Sequence, residues 1–214
     1  MVYNERTQVH FEWDPVRAEY KNLVLFMVYD QQYADLYPGV MGIPAKGAHA
    51  DHIISGADFT ELAANIQQRL ESLSEKLGGF SLDSSFSANL KATVGRFNDF
   101  AEAGKDGDFH RGKTPIEATF HAYGHGKVEN PFPNMTMHPI SGQGPYYALI
   151  LGAGTLDTKG GPRINDKTQV MDPWDKPIPG LYAAGNCSAH PAAQSYWAGG
   201  ATLGSALAFG RVVC

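Results

Sequence analysis

A short apolar strand followed by a glycine-opened helix near the C-terminus limits the possible folds of this chain most. The run 180–186 is predicted to be a buried strand that ends at Gly185 and a small polar side chain. Gly199 and Gly200 then open a helix that reaches Val213. A helix N-terminus directs N–H donors and a partial positive charge outward, and glycines let a flat ligand approach the backbone. The pattern therefore indicates either a site for a flat anionic ligand or a crossover whose glycines only ease packing.

The first hundred residues predict two strands and two helices. Residues 7–13 alternate like a half-buried strand, and residues 23–29 have the pattern of a buried one. Helices are predicted over 58–77 and 85–103, and each is ended by glycine. We assign their apolar stripes to core packing. These stripes are Leu62, Ile66, Leu70, Leu73 and Leu77 in the first helix, and Leu90, Val94, Phe97 and Phe100 in the second.

A change in sequence character near Gly142 divides the chain. Residues 105–142 are rich in loop-forming residues, whereas short strands are predicted at 146–151, 170–171 and 181–184. We therefore place a domain boundary near Gly142, between residues 1–142 and residues 143–214.

Composition excludes several classes of partner. The 214 residues carry a net charge of -5, with an isoelectric point near 5.9, which gives no reason to expect nucleic acid as a partner. Two cysteines cannot build a disulfide framework, so a reducing compartment is expected. The sequence has neither an apolar run long enough for a membrane span nor a signal-peptide pattern. These features predict a cytoplasmic location.

Eight short motifs are spread over nearly the whole chain. They are Asn4-Glu5, Asp30-Gln31, Phe97-Asn98-Asp99-Phe100, Gly104 to Gly112, Thr158-Lys159-Gly160-Gly161, Pro177 to Asn186, Gly199 to Gly204, and Phe209-Gly210-Arg211. Together they resemble the FAD-dependent 3-ketosteroid dehydrogenases of the fumarate reductase/succinate dehydrogenase flavoprotein superfamily. The resemblance implies FAD as cofactor, and an α+β substrate (cap) domain followed by the C-terminal segment of an α/β FAD-binding domain.

The resemblance assigns the residues that face the flavin. It implies that Gly185 and Asn186 lie by the ribityl and diphosphate groups of FAD. It implies further that Ala201, Thr202 and Leu203 border the flavin pyrimidine edge, where Thr202 and Leu203 offer backbone N–H groups. The glycine-rich βαβ unit that holds the ADP part of FAD in this family has no match in the sequence. The N-terminal nucleotide-binding half is therefore expected on a missing segment or on another polypeptide.

A ring ketone is the substrate that the resemblance implies. The Tyr196 hydroxyl and the Gly200 N–H would both donate to the 3-keto oxygen, which acidifies the adjacent C–H so that a base can take the proton and flavin N5 the hydride. Trp197, Tyr146 and Tyr147 are predicted to line an apolar slot for the ring system.

Other substrates and other site types were weighed. Fumarate reductases hold a dicarboxylate with cationic residues, but the corresponding positions here carry Val9, Asp157 and Trp197, which argues for an uncharged substrate. Trp197 and Ala198 also replace the usual proline and glycine of the steroid enzymes. The alternatives are therefore a related flavin enzyme with another uncharged substrate, or a truncated domain that binds no flavin. No metal site is predicted, because the histidine pairs lack further ligands.

Overall fold

The chain divides into two compact units. The computed structural model describes residues 7–40, 42–115, 117, 130–154, 160–193 and 200–213. The first unit comprises residues 1–153 and the second residues 154–214. The first unit thus extends past the boundary predicted near Gly142, because the strand Tyr146–Gly152 is hydrogen-bonded into its sheet.

An antiparallel three-stranded sheet forms the centre of the first unit. Its strands are β3 (Val24–Asp30), β4 (Ile54–Gly56) and β5 (Tyr146–Gly152), in the order β3-β5-β4. A small hairpin, β1 (Trp13–Asp14) and β2 (Glu19–Tyr20), precedes the sheet. The strands predicted at 23–29 and 146–151 are confirmed.

The strand predicted over residues 7–13 is wrong. Residues Thr7–Phe11 form a 3₁₀ helix instead, and only Trp13–Asp14 is extended. Asn22 explains the difference, since its Nδ2 donates to Val9 O at 2.9 Å and its carbonyl accepts from His10 Nδ1 at 2.8 Å. These hydrogen bonds to a residue distant in sequence override the apolar–polar alternation that predicted a strand.

Two of the four helices in the described part of this unit follow the predicted pattern. These helices are α1 (Gln31–Leu36), α2 (Phe59–Ser72), α3 (Ser74–Leu77) and α4 (Phe86–Ala103). The helix predicted over 58–77 is interrupted at Leu73, whose N–H bonds Leu70 O, and Gly78 ends α3 with φ 68°. Gly104 ends α4 with φ 70°, as predicted. Helix α1 was missed, because six residues are too short to show a helical period.

The apolar stripe of α2 supplies the core of the first unit. Leu62, Ile66 and Leu70 are fully buried, and they pack with Ile54 and Ala148 of the sheet. The assignment of this stripe to the core is confirmed.

Asp58 begins α2 with a side-chain cap. Its Oδ1 accepts from Thr60 N at 2.8 Å and from Glu61 N at 2.9 Å, while Glu61 Oε2 accepts from Ala57 N at 2.8 Å. We expect Asp58→Ala to lower the free energy of unfolding by about 1 kcal/mol, because two N–H groups of the first turn lose their acceptor. Urea unfolding measures the change. Asp58→Asn keeps the acceptor and serves as control, and an equal loss in both variants would contradict the cap.

The second unit is small, and its apolar surface is exposed. Strands β6 (Gln169–Met171) and β7 (Pro177–Tyr182) pair antiparallel, and a 3₁₀ helix (Gly185–Cys187) and helix α5 (Ala201–Val213) follow. The helix and the strand at 170–171 are confirmed. The strand predicted as buried over 181–184 instead covers Pro177–Tyr182, and all six of its residues are exposed. None of the helices described in either unit is long and apolar enough to cross a membrane.

Candidate functional site

A buried glycine lies where the strand–loop–helix motif turns. Gly185 has φ +69°, a backbone conformation that favours glycine, and a Cβ there would lie 3.1 Å from Ala206 Cβ of α5. Its carbonyl accepts from Ser188 N at 3.2 Å and from Ser188 Oγ at 2.9 Å. Residues 185–188 therefore form a tight turn packed closely against α5.

The N-terminus of α5 is built as the sequence predicts. Gly200 has φ +87°, and its carbonyl accepts the first ladder bond of the helix, from Gly204 N at 2.7 Å. Helix α5 therefore begins directly after Gly200, where the positive end of the helix dipole lies. Ala201 is buried, whereas the apolar side chain of Leu203 is 69% exposed. A helix end of this kind fits the electron-rich pyrimidine edge of a flavin.

The glycine pair at 160–161 reaches the same turn from another segment. A Cβ on Gly161 would lie 2.5 Å from Cys187 O, whereas one on Gly160 would meet no atom of the described residues within 4 Å. Ala189 N also donates to Pro162 O at 2.9 Å. The sequence motif around Gly161 therefore supports the turn that carries Gly185 and Asn186.

These residues fit the FAD that the resemblance implies. The buried Gly185 leaves no side chain on the turn, Asn186 next to it is half-buried and polar, and the α5 N-terminus lies in the same unit. We identify Gly185, Asn186 and the first turn of α5 as the candidate cofactor-contacting residues. Cys187 is exposed beside them, and its Sγ donates to Ala184 O at 3.0 Å.

Two predicted site residues lie outside the described part of the chain. These are Tyr196 and Trp197, so of the predicted catalytic pair only Gly200 is described. Asp157, on which the argument against a dicarboxylate partly rests, also falls outside. The roles of these residues stay predictions.

Tyr146 and Tyr147 lie on opposite faces of β5, because consecutive side chains of a strand alternate. The Tyr146 ring is buried against Phe59, at 4.1 Å between centroids, and its hydroxyl donates to Ser141 O at 2.9 Å. Tyr147 is half-buried and donates to Gln31 Oε1 at 2.5 Å. The first unit therefore does not bring the two rings to a common surface. Tyr146 has the contacts of a core residue.

A cavity of about 210 Å³ lies beside Tyr147, and sequence reasoning missed it. Tyr29 stacks on Tyr147 with 5.3 Å between ring centroids, and both rings line the cavity with Ile43 and Ile53. Because the loop over residues 43–50 follows no periodic pattern, the sequence carries no signal that it closes over these rings.

The pKa of Tyr29 provides a test of how deeply its ring is buried beside this cavity. The side chain is 3% exposed, and burial, with a smaller effect of Tyr147, raises the pKa of Tyr29 to about 12. Since the unfolded chain ionises near pH 10, burial of the neutral phenol contributes stability that is present below about pH 10 and is lost as the pH rises towards 12. We expect Tyr29→Phe to flatten the fall in unfolding free energy across this window. Chemical denaturation at several alkaline pH values measures it, and equal slopes in both proteins would contradict the prediction.

The described residues contain no group of three or more histidine, cysteine, aspartate or glutamate side chains that could hold a metal ion. Of the two histidine pairs weighed in the sequence, His49 with His52 lies in the described part of the chain, and His121 with His125 lies outside it. His49 pairs with Asp51 at the surface, and His52 Nε2 hydrogen-bonds Gly42 O at 2.7 Å.

Comparison with known proteins gives relatives that are named dehydrogenases of ring ketones. The chain is 35% identical over 208 residues to a 4-oxocyclohexanecarboxylate 2-dehydrogenase of Sinomonas cyclohexanicum, over 97% of this chain and 32% of the relative. It is 34% identical over 196 residues to a 3-oxosteroid 1-dehydrogenase of Mycolicibacterium smegmatis, over 89% of this chain and 30% of the relative. The chain thus spans about a third of the length of the curated relatives it matches.

A solved structure and a family profile agree with these relatives. The 3-ketosteroid delta1-dehydrogenase of Sterolibacterium denitrificans, solved with 1,4-androstadiene-3,17-dione, is similar with a TM-score of 0.69 and 28% identity. That match covers 89% of this chain and 31% of the other. The profile of the FAD binding domain family matches residues 26–203. The chain therefore belongs to the FAD binding domain family, and its cofactor is FAD.

Proposed function

We propose that this chain is the substrate-binding and flavin-facing part of an FAD-dependent dehydrogenase that removes a proton and a hydride from adjacent carbons of a ring ketone. The single observation that carries the proposal is the 35% identity over 97% of the chain to a 4-oxocyclohexanecarboxylate dehydrogenase. The 3-oxosteroid 1-dehydrogenase relative supports it, because its name also describes dehydrogenation of an oxo compound.

Two donors polarise the ketone in this proposal. The Tyr196 hydroxyl and the Gly200 N–H both donate to the keto oxygen, where negative charge develops as the adjacent C–H loses its proton. Gly200 suits this role because its φ of +87° turns the chain directly into α5 without a side chain in the way. The bound flavin supplies the hydride acceptor.

The residues that hold FAD belong to the second unit. Gly185 and Asn186 would border the ribityl and diphosphate groups, and Thr202 and Leu203 in the first turn of α5 would face the pyrimidine edge. A positive helix end there would stabilise negative charge on a reduced flavin. Leu203, exposed in this unit, rests against the cofactor in the proposed arrangement.

A further segment of polypeptide completes the FAD domain in this proposal. Strand β7 is exposed along its length, and α5 exposes three further apolar side chains, Leu207, Val212 and Val213. Large apolar side chains exposed in such number on a small unit are typical of an interaction face. We assign it to the glycine-rich nucleotide-binding half, since the chain spans about a third of its relatives.

The substrate is a ring ketone, and two kinds are supported. The steroid relatives favour an uncharged polycyclic ketone, as the sequence predicts, whereas the oxocyclohexanecarboxylate relative favours a single ring with a carboxylate. Trp197 stays a predicted contact for the apolar ring in either case.

Dye-coupled oxidation by the purified full-length flavoprotein tests the proposal. The substrates are a 3-oxosteroid, 4-oxocyclohexanecarboxylate and, as control, succinate. We expect turnover with at least one ring ketone and none with succinate. A yellow protein that oxidises succinate alone would overturn the ring-ketone assignment. A colourless protein that ignores added FAD would favour the truncated, flavin-free domain instead.

A further inference from the structure

A buried histidine in the second unit contacts the chain on both sides of the segment that carries the proposed ketone donors. His190 is 6% exposed and follows the tight turn at residues 185–188. Its Nδ1 accepts from Ala192 N at 3.0 Å, and its Nε2 lies 3.4 Å from Ala201 O at the start of α5. Ala192 and Ala201 flank residues 193–200, so one ring contacts the chain on both sides of that segment.

The two contacts specify the tautomer of the ring. A backbone N–H can only donate, so Nδ1 of His190 must carry the lone pair. The proton of the neutral ring is then on Nε2, and the Ala201 carbonyl, which can only accept, is its partner. The Nε2–H tautomer therefore satisfies both contacts at once.

Further hydrogen bonds hold the backbone on both sides of His190. Ser188, two residues before His190, is 2% exposed, and both its N–H and its hydroxyl donate to Gly185 O. Ala193 N donates to His190 O at 2.8 Å, and Ala193 adopts φ 51°, a conformation that is uncommon for alanine. The turn after His190 is thus held in an unusual shape by bonds to the same residue.

We propose that His190 is a positioning residue, whose ring clamps the backbone at Ala192 to the backbone at Ala201 and so fixes Gly200 and the first turn of α5. Under the proposed function, on which this part rests, Gly200 and that first turn are the groups that meet the ketone and the flavin. Small misplacements of catalytic groups have large effects on rate.

Three substitutions of His190 in the full-length flavoprotein separate the two contacts. His190→Asn retains an acceptor near Nδ1 but cannot reach Ala201, whereas His190→Gln retains a donor near Nε2 and loses the acceptor for Ala192. His190→Leu keeps the bulk and loses both. We expect kcat to fall about fivefold to tenfold in the Asn and Gln variants and about a hundredfold in the Leu variant, with KM changing less than about threefold. His52→Leu, which removes a histidine–carbonyl contact in the first unit, is the matched control and stays within about twofold.

Two readouts do not depend on turnover. In ¹⁵N-histidine-labelled protein, we expect His190 to show the Nε2–H tautomer, and the Nδ1–H tautomer would overturn the clamp. We also expect the apparent Kd for FAD to rise about tenfold in His190→Leu, since the first turn of α5 is released. Wild-type FAD affinity and turnover in the Leu variant would show that the ring only fills space. If the wild-type protein oxidises no ring ketone, the proposed function fails, but the tautomer and FAD affinity still decide the role of His190.

Discussion

Tyr196→Phe should lower kcat for a ring ketone by about two to three orders of magnitude, because removal of one donor to a developing oxyanion has effects of that size. The substitution removes a single oxygen and leaves the ring, so we expect FAD content and thermal unfolding to remain at the wild-type level. Steady-state turnover of the full-length flavoprotein, compared with its flavin absorbance, measures the effect. The Gly200 N–H is a backbone group and remains, which is why residual activity is expected.

A tyrosine in the first unit provides the control for that substitution. Tyr20 is 45% exposed in the β1–β2 hairpin and takes no part in the proposed site. Tyr20→Phe should retain full turnover. Wild-type-like turnover in Tyr196→Phe would remove the Tyr196 hydroxyl from the mechanism.

Gly161→Ala should weaken FAD binding by at least about tenfold and lower the free energy of unfolding by about 1–3 kcal/mol. The added methyl group would lie 2.5 Å from Cys187 O and 2.8 Å from Ser188 Cα, both backbone atoms that cannot move without displacing the turn at 185–188. Titration of the apoprotein with FAD, followed by flavin fluorescence, measures the affinity. Thermal unfolding of the same samples measures the stability.

The neighbouring glycine provides a matched control for Gly161. In the part of the chain that the structure describes, a Cβ on Gly160 meets no atom within 4 Å, so Gly160→Ala should stay within about 0.5 kcal/mol of wild type and bind FAD normally. Equal behaviour of the two variants would mean that the packing of Gly161 on Cys187 has no role in the cofactor site.

The helices with strong periodicity were predictable from the sequence. The stripe of Leu62, Ile66 and Leu70 recurs at helical spacing, and glycines at 78 and 104 adopt the left-handed conformation that ends helices. Short or contact-dependent elements were not predictable. The 3₁₀ helix at Thr7–Phe11 depends on Asn22, and the strand β4 has only three residues.

The glycine positions of the candidate site were predictable from the sequence, but the contacts between its distant residues were not. The positions of Gly185 and Gly200 were predictable, because a glycine at a strand end and a glycine at a helix start form a recognisable sequence pattern. The contact of Gly161 with Cys187 and the two bonds of His190 join residues whose spacing follows no period, so only the fold reveals them. Tyr146 shows the opposite case. The adjacent residues Tyr146 and Tyr147 suggested one shared slot, but consecutive side chains of a strand point to opposite faces, so the two rings are separated.

Anaerobic reduction of the bound flavin tests the central claim most directly. The full-length flavoprotein is mixed with a ring ketone in the absence of oxygen and of any electron acceptor, and the flavin absorbance is followed. We predict that an equimolar amount of 4-oxocyclohexanecarboxylate or of a 3-oxosteroid bleaches the flavin, as hydride passes from the ring to FAD. A flavin that stays oxidised with both ring ketones but is bleached by succinate would contradict the account.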